Sequence, residues 1–201
     1  MENLSDRIAD FLIKSGNATE DIRDIIIFGV VATLSLLINF IFTLTIGFIF
    51  RMPLELTFFF ISFSVLRVTS GGYHAKTFFG CVAMSLIVML FVSAMLYIDI
   101  GGAIMPLSVL FILIAISVTF LLAPITHANH PMDQTSITRF RKCSRIAVIC
   151  CSALCLGLFA IGSAQYMYCV SLGMLISAGS TLTSYFFKGK EDTRNEKNQE
   201  V

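Results

Sequence analysis

The sequence contains no tryptophan, only three histidines and four prolines, and 13% charged residues. Soluble domains carry about 25% charged residues, so this scarcity excludes an ordinary globular domain in water. No basic stripe with interleaved exposed aromatics is present, which removes nucleic acid from the classes of partner. A secretory signal is missing too, because MENLSDRIADFLIKSGNATEDIRD is polar and of mixed charge up to Ile25, and this start reads as retained. No CxxC pair has zinc-like companions. Cys143, Cys150, Cys151, Cys155 and Cys169 fall late in the chain, most within or beside apolar runs, where they read as small buried hydrophobes. Without tryptophan, the interfacial belt rests on five tyrosines with Lys and Arg.

What fills the chain instead is apolar sequence, 56% of 201 residues, at a mean hydropathy of +0.84. It comes in blocks long enough for a bilayer. Ile25 to Phe50 would make a helix of about 39 Å, one tilted crossing. Leu54 to Leu66 is short and spans only if the helix continues through Arg67 toward Ser70. Further blocks run Phe78 to Ile98, Ile104 to Leu122, Ile146 to Gly162 and Tyr166 to Phe187. Gly101 and Gly102 break the chain between the third and fourth of these six blocks. The fold class is therefore all-α, a polytopic membrane protein with about six crossings and the lipid bilayer as its solvent.

Charge placement tests that count. With both termini cytoplasmic, only Arg51 lies outside, and the other thirteen of the fourteen Lys and Arg residues lie inside. That is the positive-inside pattern. Residues 1–201 form one domain, with an N-terminal cytoplasmic or interfacial segment over 1–24 and a cytoplasmic tail over 188–201. Leu4, Ile8, Phe11 and Leu12 recur at helical spacing in the first of these segments. That helix lies either in the membrane interface or on the protein's own cytoplasmic face.

RVTSGGYHAKTFFGC, Arg67 to Cys81, gathers the polar chemistry at the inner end of the second and third crossings. His74 and Cys81 are seven apart, about 10.5 Å along a straight helix, beyond the hydrogen-bond reach that proton transfer needs. Gly71 and Gly72 permit a sharp turn that would bring His74 back toward a Cys81 carried on the start of the third crossing. A thiol near a helix start and an imidazole is placed to become a nucleophilic thiolate. Arg67 could stabilise an oxyanion, bind a carboxylate or anchor the helix among headgroups. On residue chemistry alone a packing cysteine and a hydrogen-bonded histidine cap stay open as well.

The string R67VTSGGYHAKTFFGC81 resembles the signature of the accessory gene regulator B family, membrane-embedded cysteine endopeptidases of bacterial quorum sensing. The family's required arginine, glycine, histidine and cysteine fall on Arg67, Gly72, His74 and Cys81 without insertion or deletion. Likeness extends to the six crossings and to the inner loop A123PITHANHPMDQTSITRFRK142, whose His127, Asn129, His130 and Pro131 depart from a more lysine-rich version. The resemblance implies cleavage of the C-terminal part of a small amphipathic precursor, an AgrD-like peptide. An acyl-enzyme on Cys81 would then be attacked by a substrate cysteine or serine to close a thiolactone or lactone. It implies no cofactor and no metal, since His127 and His130 are remote from Cys81 and no acidic residue clusters with them. Arg139, Arg141 and Lys142 are candidate contacts for an acidic precursor tail, a homodimer is left open, and the bacterial cell membrane is the expected location. The competing reading is a noncatalytic transporter or scaffold whose glycine junction moves.

Overall fold

The computed structural model describes residues 2–16, 19–70, 78–98, 101–124 and 134–199. Among them run seven helices: α1 (Glu2–Lys14), α2 (Arg23–Ile49), α3 (Pro53–Ser70), α4 (Phe78–Tyr97), α5 (Ile104–Leu122), α6 (Gln134–Ala160) and α7 (Ala164–Gln199). The described residues contain no strand.

Five stretches are long and apolar enough to cross a bilayer: Gly29–Ile49, Pro53–Ser70, Gly101–Leu122, Ile137–Ala160 and Ala164–Phe186. A shorter apolar stretch, Val82–Tyr97, lies in α4, whose 20 residues give about 30 Å, the thickness of a hydrocarbon core. The chain is an all-α, multi-pass membrane protein. α3 resolves the short second block as anticipated, since its helix continues through Arg67 to Ser70 and reaches 18 residues, the low end of a spanning length.

Two buried clusters fix helix directions. One joins Ile46 of α2, Leu56 and Phe59 of α3, Met89 and Val92 of α4, and Cys169 and Leu172 of α7. The other joins Leu66 of α3, Ala115 of α5, Ala147 and Val148 of α6, and Met174 and Ala178 of α7. The first therefore gathers the late part of α2 and α4 with the early part of α3 and α7. Around the second, Phe58 meets Tyr166 and Ser62 meets Val170, so α3 and α7 advance together, while Arg145 meets Phe120 and Cys155 meets Met167, which sets α6 against α5 and α7. Successive helices alternate in direction, as repeated crossings require, and α3 runs parallel to α7.

α7 is the centre of the bundle, packed most extensively against α3 and α5 and also against α6. Lipid offers apolar side chains as much as a protein interior does, so helices associate where small residues let backbones approach. Gly173 is such a place. A Cβ there would strike the Ser62 hydroxyl and come within 2.7 Å of the Phe59 carbonyl oxygen. The Ser62 hydroxyl donates at 2.9 Å to Phe59 O and faces Val170 O at 3.2 Å, tying α3 to α7.

α2 ends in a compact turn. The Met52 amide donates to Gly47 O at 2.8 Å and the Arg51 amide to Phe48 O at 3.3 Å, while Arg51 takes φ 59. This left-handed residue, just after the cap Phe50, lets the last carbonyls find partners. Pro53 then starts α3, fitting a first helical position that needs no amide donor.

α1 folds back on the start of α2. Ala9 and Ser5 are buried, and Arg23 reaches Asp6 and Asp10, each at 3.1 Å. Two helices run further than hydropathy suggests. α6 begins at Gln134 rather than near Ile146, and α7 continues to Gln199. The added turns are rich in Arg, Lys, Gln and Glu, which are good helix formers although hydropathy reads them as loop or tail.

Candidate functional site

α3 closes on Arg67, Val68, Thr69 and Ser70. The next two residues are Gly71 and Gly72, whose conformational freedom ends helices readily. The Arg67 guanidinium lies 5.5 Å from the centroid of the Phe63 ring, one turn earlier. Such stacking holds a cation at the edge of an apolar bundle. Thr69 bonds back to Val65 O at 2.9 Å. Ser70 is only 2% exposed, and its hydroxyl has no hydrogen-bond partner among the described residues.

α4 begins at Phe78, so position 81 is the fourth residue of the helix. The first four amides of a helix have no intrahelical acceptor, and their field favours an anion placed beside them. The α4 start lies at the same end of the bundle as the α3 end, because the later α4 residues Met89 and Val92 pack with the early α3 residues Leu56 and Phe59. Helix direction thus puts Arg67, Ser70 and position 81 at one end of the molecule. His74, Gly71 and Gly72 lie outside the described residues, as do His127, Asn129 and His130 of the loop after α5.

The basic group of α6 belongs to this end too. Arg139, Arg141, Lys142 and Arg145 are exposed, in the turns just before Ala147 and Val148, which pack with Leu66. Arg145 sits 5.1 Å from the centroid of the Phe120 ring near the end of α5. Beyond Phe120 the chain leaves α5 through Ala123 and a cis bond to Pro124. The bundle end therefore combines a helix start at position 81, the Arg67 guanidinium and a row of exposed cations on α6.

The remaining cysteines divide by burial. Cys151, Cys155 and Cys169 are buried, Cys143 and Cys150 are exposed, and all five are free thiols. Among the described residues no group of three or more His, Cys, Asp or Glu side chains could hold a metal ion.

One polar group escapes a motif-centred reading. Asn39, in the otherwise oily run LLINFIF, is 8% exposed and its Oδ1 has no partner among the described residues. Leaving a buried amide oxygen unpaired costs roughly 1–3 kcal/mol. A scan for polar residues inside apolar blocks would have found it.

Residues 5–182 match a family model described as accessory gene regulator B. Two AgrB-like proteins of Clostridium perfringens, from strains 13 and SM101, are each 32% identical to the chain over 88 residues. Those residues are 44% of this chain and 41% of each relative, so the likeness spans less than half the length of the curated relatives. No solved structure matches.

Proposed function

Since the chain belongs to the accessory gene regulator B family, we propose that it acts in the accessory gene regulator system as a membrane cysteine endopeptidase. It cleaves the C-terminal part of a small amphipathic precursor and promotes ring closure. The observation that carries this reading is the placement of Cys81 within the first four residues of α4, seven residues after His74 and at the bundle end that holds Arg67.

Magnitudes divide the work between groups. An unperturbed thiol needs roughly 2 kcal/mol of added stabilisation to be half ionised at pH 7. A helix start supplies roughly 0.3–1 kcal/mol. The helix alone is not enough, and His74 is assigned the remainder as the base that takes the thiol proton. The Cys81 sulfur then forms a bond to the scissile carbonyl carbon, and the carbonyl π electrons move to oxygen. Collapse of that oxyanion breaks the C–N bond, and the His74 imidazolium gives its proton to the departing amine. A thioester on Cys81 remains. A cysteine thiol or serine hydroxyl of the bound precursor attacks it, passing its proton by way of His74 to the leaving Cys81 sulfur, and a thiolactone or lactone forms. An intramolecular nucleophile outcompetes water because it is held at high effective concentration in a partly dry site.

Arg67 is assigned to the developing oxyanion or a substrate carboxylate. Gly71 and Gly72 are assigned to this site by their place in the motif, and Arg139, Arg141 and Lys142 attract an acidic precursor tail on the cytoplasmic side. The test is co-expression with a small amphipathic precursor that carries an internal Cys or Ser and an acidic C-terminus, comparing the wild type with Cys81→Ala and His74→Ala at matched membrane levels. Both variants should lose cleavage, and near-normal processing by Cys81→Ala would overturn the nucleophile assignment.

A further inference from the structure

Asn39 stands ten residues from each end of the span Gly29–Ile49, about 15 Å from either end by helical rise and thus near mid-membrane. Its side chain is turned inward, away from lipid, with the carboxamide oxygen unpartnered among the described residues. The backbone around it is well supplied, since Thr43 donates its hydroxyl to the Asn39 carbonyl at 2.7 Å. The unmet need is confined to the side chain. In hydrocarbon such a group is retained where it has a partner or a task.

The seam that holds it leads to the candidate nucleophile. Thr43 Oγ1 lies 3.7 Å from Met89 Sδ on α4, and Ile46 shares a buried cluster with Met89 and Val92. α2 and α4 are therefore parallel, with position 43 level with position 89. Carried back along both helices, that register sets Asn39 level with Ser85, and Ser35 level with position 81. Asn39 is thus one helical turn, about 6 Å, deeper in the membrane than the backbone level of Cys81. An extended peptide advances about 3.3 Å per residue, so 6 Å is two residues of substrate.

We infer that Asn39 is a substrate-binding residue: its carboxamide, in the α2–α4 seam one turn below Cys81, hydrogen-bonds a backbone amide of the bound precursor about two residues from the scissile bond. This rests on the peptidase reading of Cys81. A peptide entering the seam must satisfy its own amides where no water can do so, and the empty Oδ1 accepts one of their N–H groups. Specificity of this kind is strong, because a ligand that leaves both groups unpaired loses on each side.

The test uses the full chain in nanodiscs and a fluorescein-labelled synthetic amphipathic peptide with an internal Cys or Ser and an acidic C-terminus. Cleavage by the wild type and its loss in Cys81→Ala examine the peptidase reading separately. Binding is then measured in the Cys81→Ala background, with and without Asn39→Leu or Asn39→Ala, alongside the Tm of each variant. Expected is an affinity loss of about tenfold, with the Tm of the leucine variant at or above its parent because an unpaired polar atom is gone. Binding within twofold of the parent overturns the inference. So does an affinity loss that follows a fall in Tm in both variants, which assigns Asn39 to packing alone.

Discussion

Ser62 of α3 and Gly173 of α7 meet so closely that a single added methyl group on residue 173 would collide with the serine hydroxyl and stand 2.7 Å from the Phe59 carbonyl oxygen. The hydroxyl is itself engaged, facing both Phe59 O and Val170 O. Two parallel helices are thus held at backbone contact by one missing side chain and one hydroxyl.

Gly173→Ala should lower stability by about 1–3 kcal/mol, the usual cost of overpacking. Thermal unfolding in detergent reads the effect. Adding Ser62→Ala should recover only part of the loss, since it removes the hydroxyl but leaves the Phe59 carbonyl in place. Full recovery would contradict a backbone clash.

Arg51 occupies φ 59, where an L residue is disfavoured by roughly 1–2 kcal/mol. Glycine removes that strain but orders a more flexible unfolded chain, at about 0.5–1 kcal/mol. Arg51→Gly should therefore be neutral to about 1 kcal/mol stabilising, and Arg51→Val clearly destabilising. Equal Tm values for the two variants would contradict the left-handed assignment.

The anchor of α1 titrates far from neutrality. Hydrogen bonding to Asp10 is the largest influence on Arg23; desolvation opposes it, the charges of Asp10 and Asp6 and the bond to Asp6 add to it, and the guanidinium is raised above its ordinary value. A group raised on folding contributes below its unfolded value and loses that contribution only as pH climbs through the folded one. Raising the pH from 7 to 9 should therefore leave α1 in place. Salt is the more effective lever, because about 1 M salt screens exposed charges within roughly 3 Å. Hydrogen exchange over residues 2–14 should accelerate in high salt and in Arg23→Ala, while global Tm changes little, as expected for exposed pairs. Faster exchange at pH 9, after correction for the intrinsic rate, would count against this account.

Replacing Arg139, Arg141 and Lys142 together by Gln should raise KM for the precursor by about tenfold, with smaller change in kcat, since each exposed charge contact is worth up to about 1 kcal/mol. The salt dependence of KM should flatten in step. A fall in kcat at unchanged KM would move these residues from docking to chemistry.

Sidedness follows from two positions. Cys143 is exposed near the α6 start, and Arg51 is exposed at the opposite end of the bundle. In a background lacking other cysteines, an impermeant maleimide should label Cys143 only after the membrane is opened, and Arg51→Cys in intact cells. The reverse pattern would invert the topology.

The sequence made particular parts of this architecture legible. Charge placement favoured a crossing by the short second block, and α3, which reaches Ser70, is long enough for one. The length of α6 and α7 was hidden, because RFRKCSR and KGKEDTR are hydrophilic yet favour helix. Helix neighbours were hidden for a different reason. In lipid both the packed and the outward faces of a helix are apolar, so periodicity no longer marks the buried side. Gly173 and Ser62 carry that information as close-approach residues, but only once their facing positions are known. The motif from Arg67 to Cys81 is legible by its spacing and Asn39 by its polarity within an apolar block, whereas the level of Asn39 relative to position 81 required the register set by Thr43 and Met89.

The helix at the centre of the bundle comes later in the chain than the helices it packs against. A ribosome delivers residues in order, so α2 through α6 enter the bilayer before the element against which α3, α5 and α6 pack. During synthesis the earlier helices wait side by side without their common partner, with the Ser62 surface turned to lipid or to one another. Assembly of the bundle therefore waits for α7, and a nascent chain arrested before Ala164 would present the insertion machinery and membrane proteases with the five helices α2 to α6 still without their common partner.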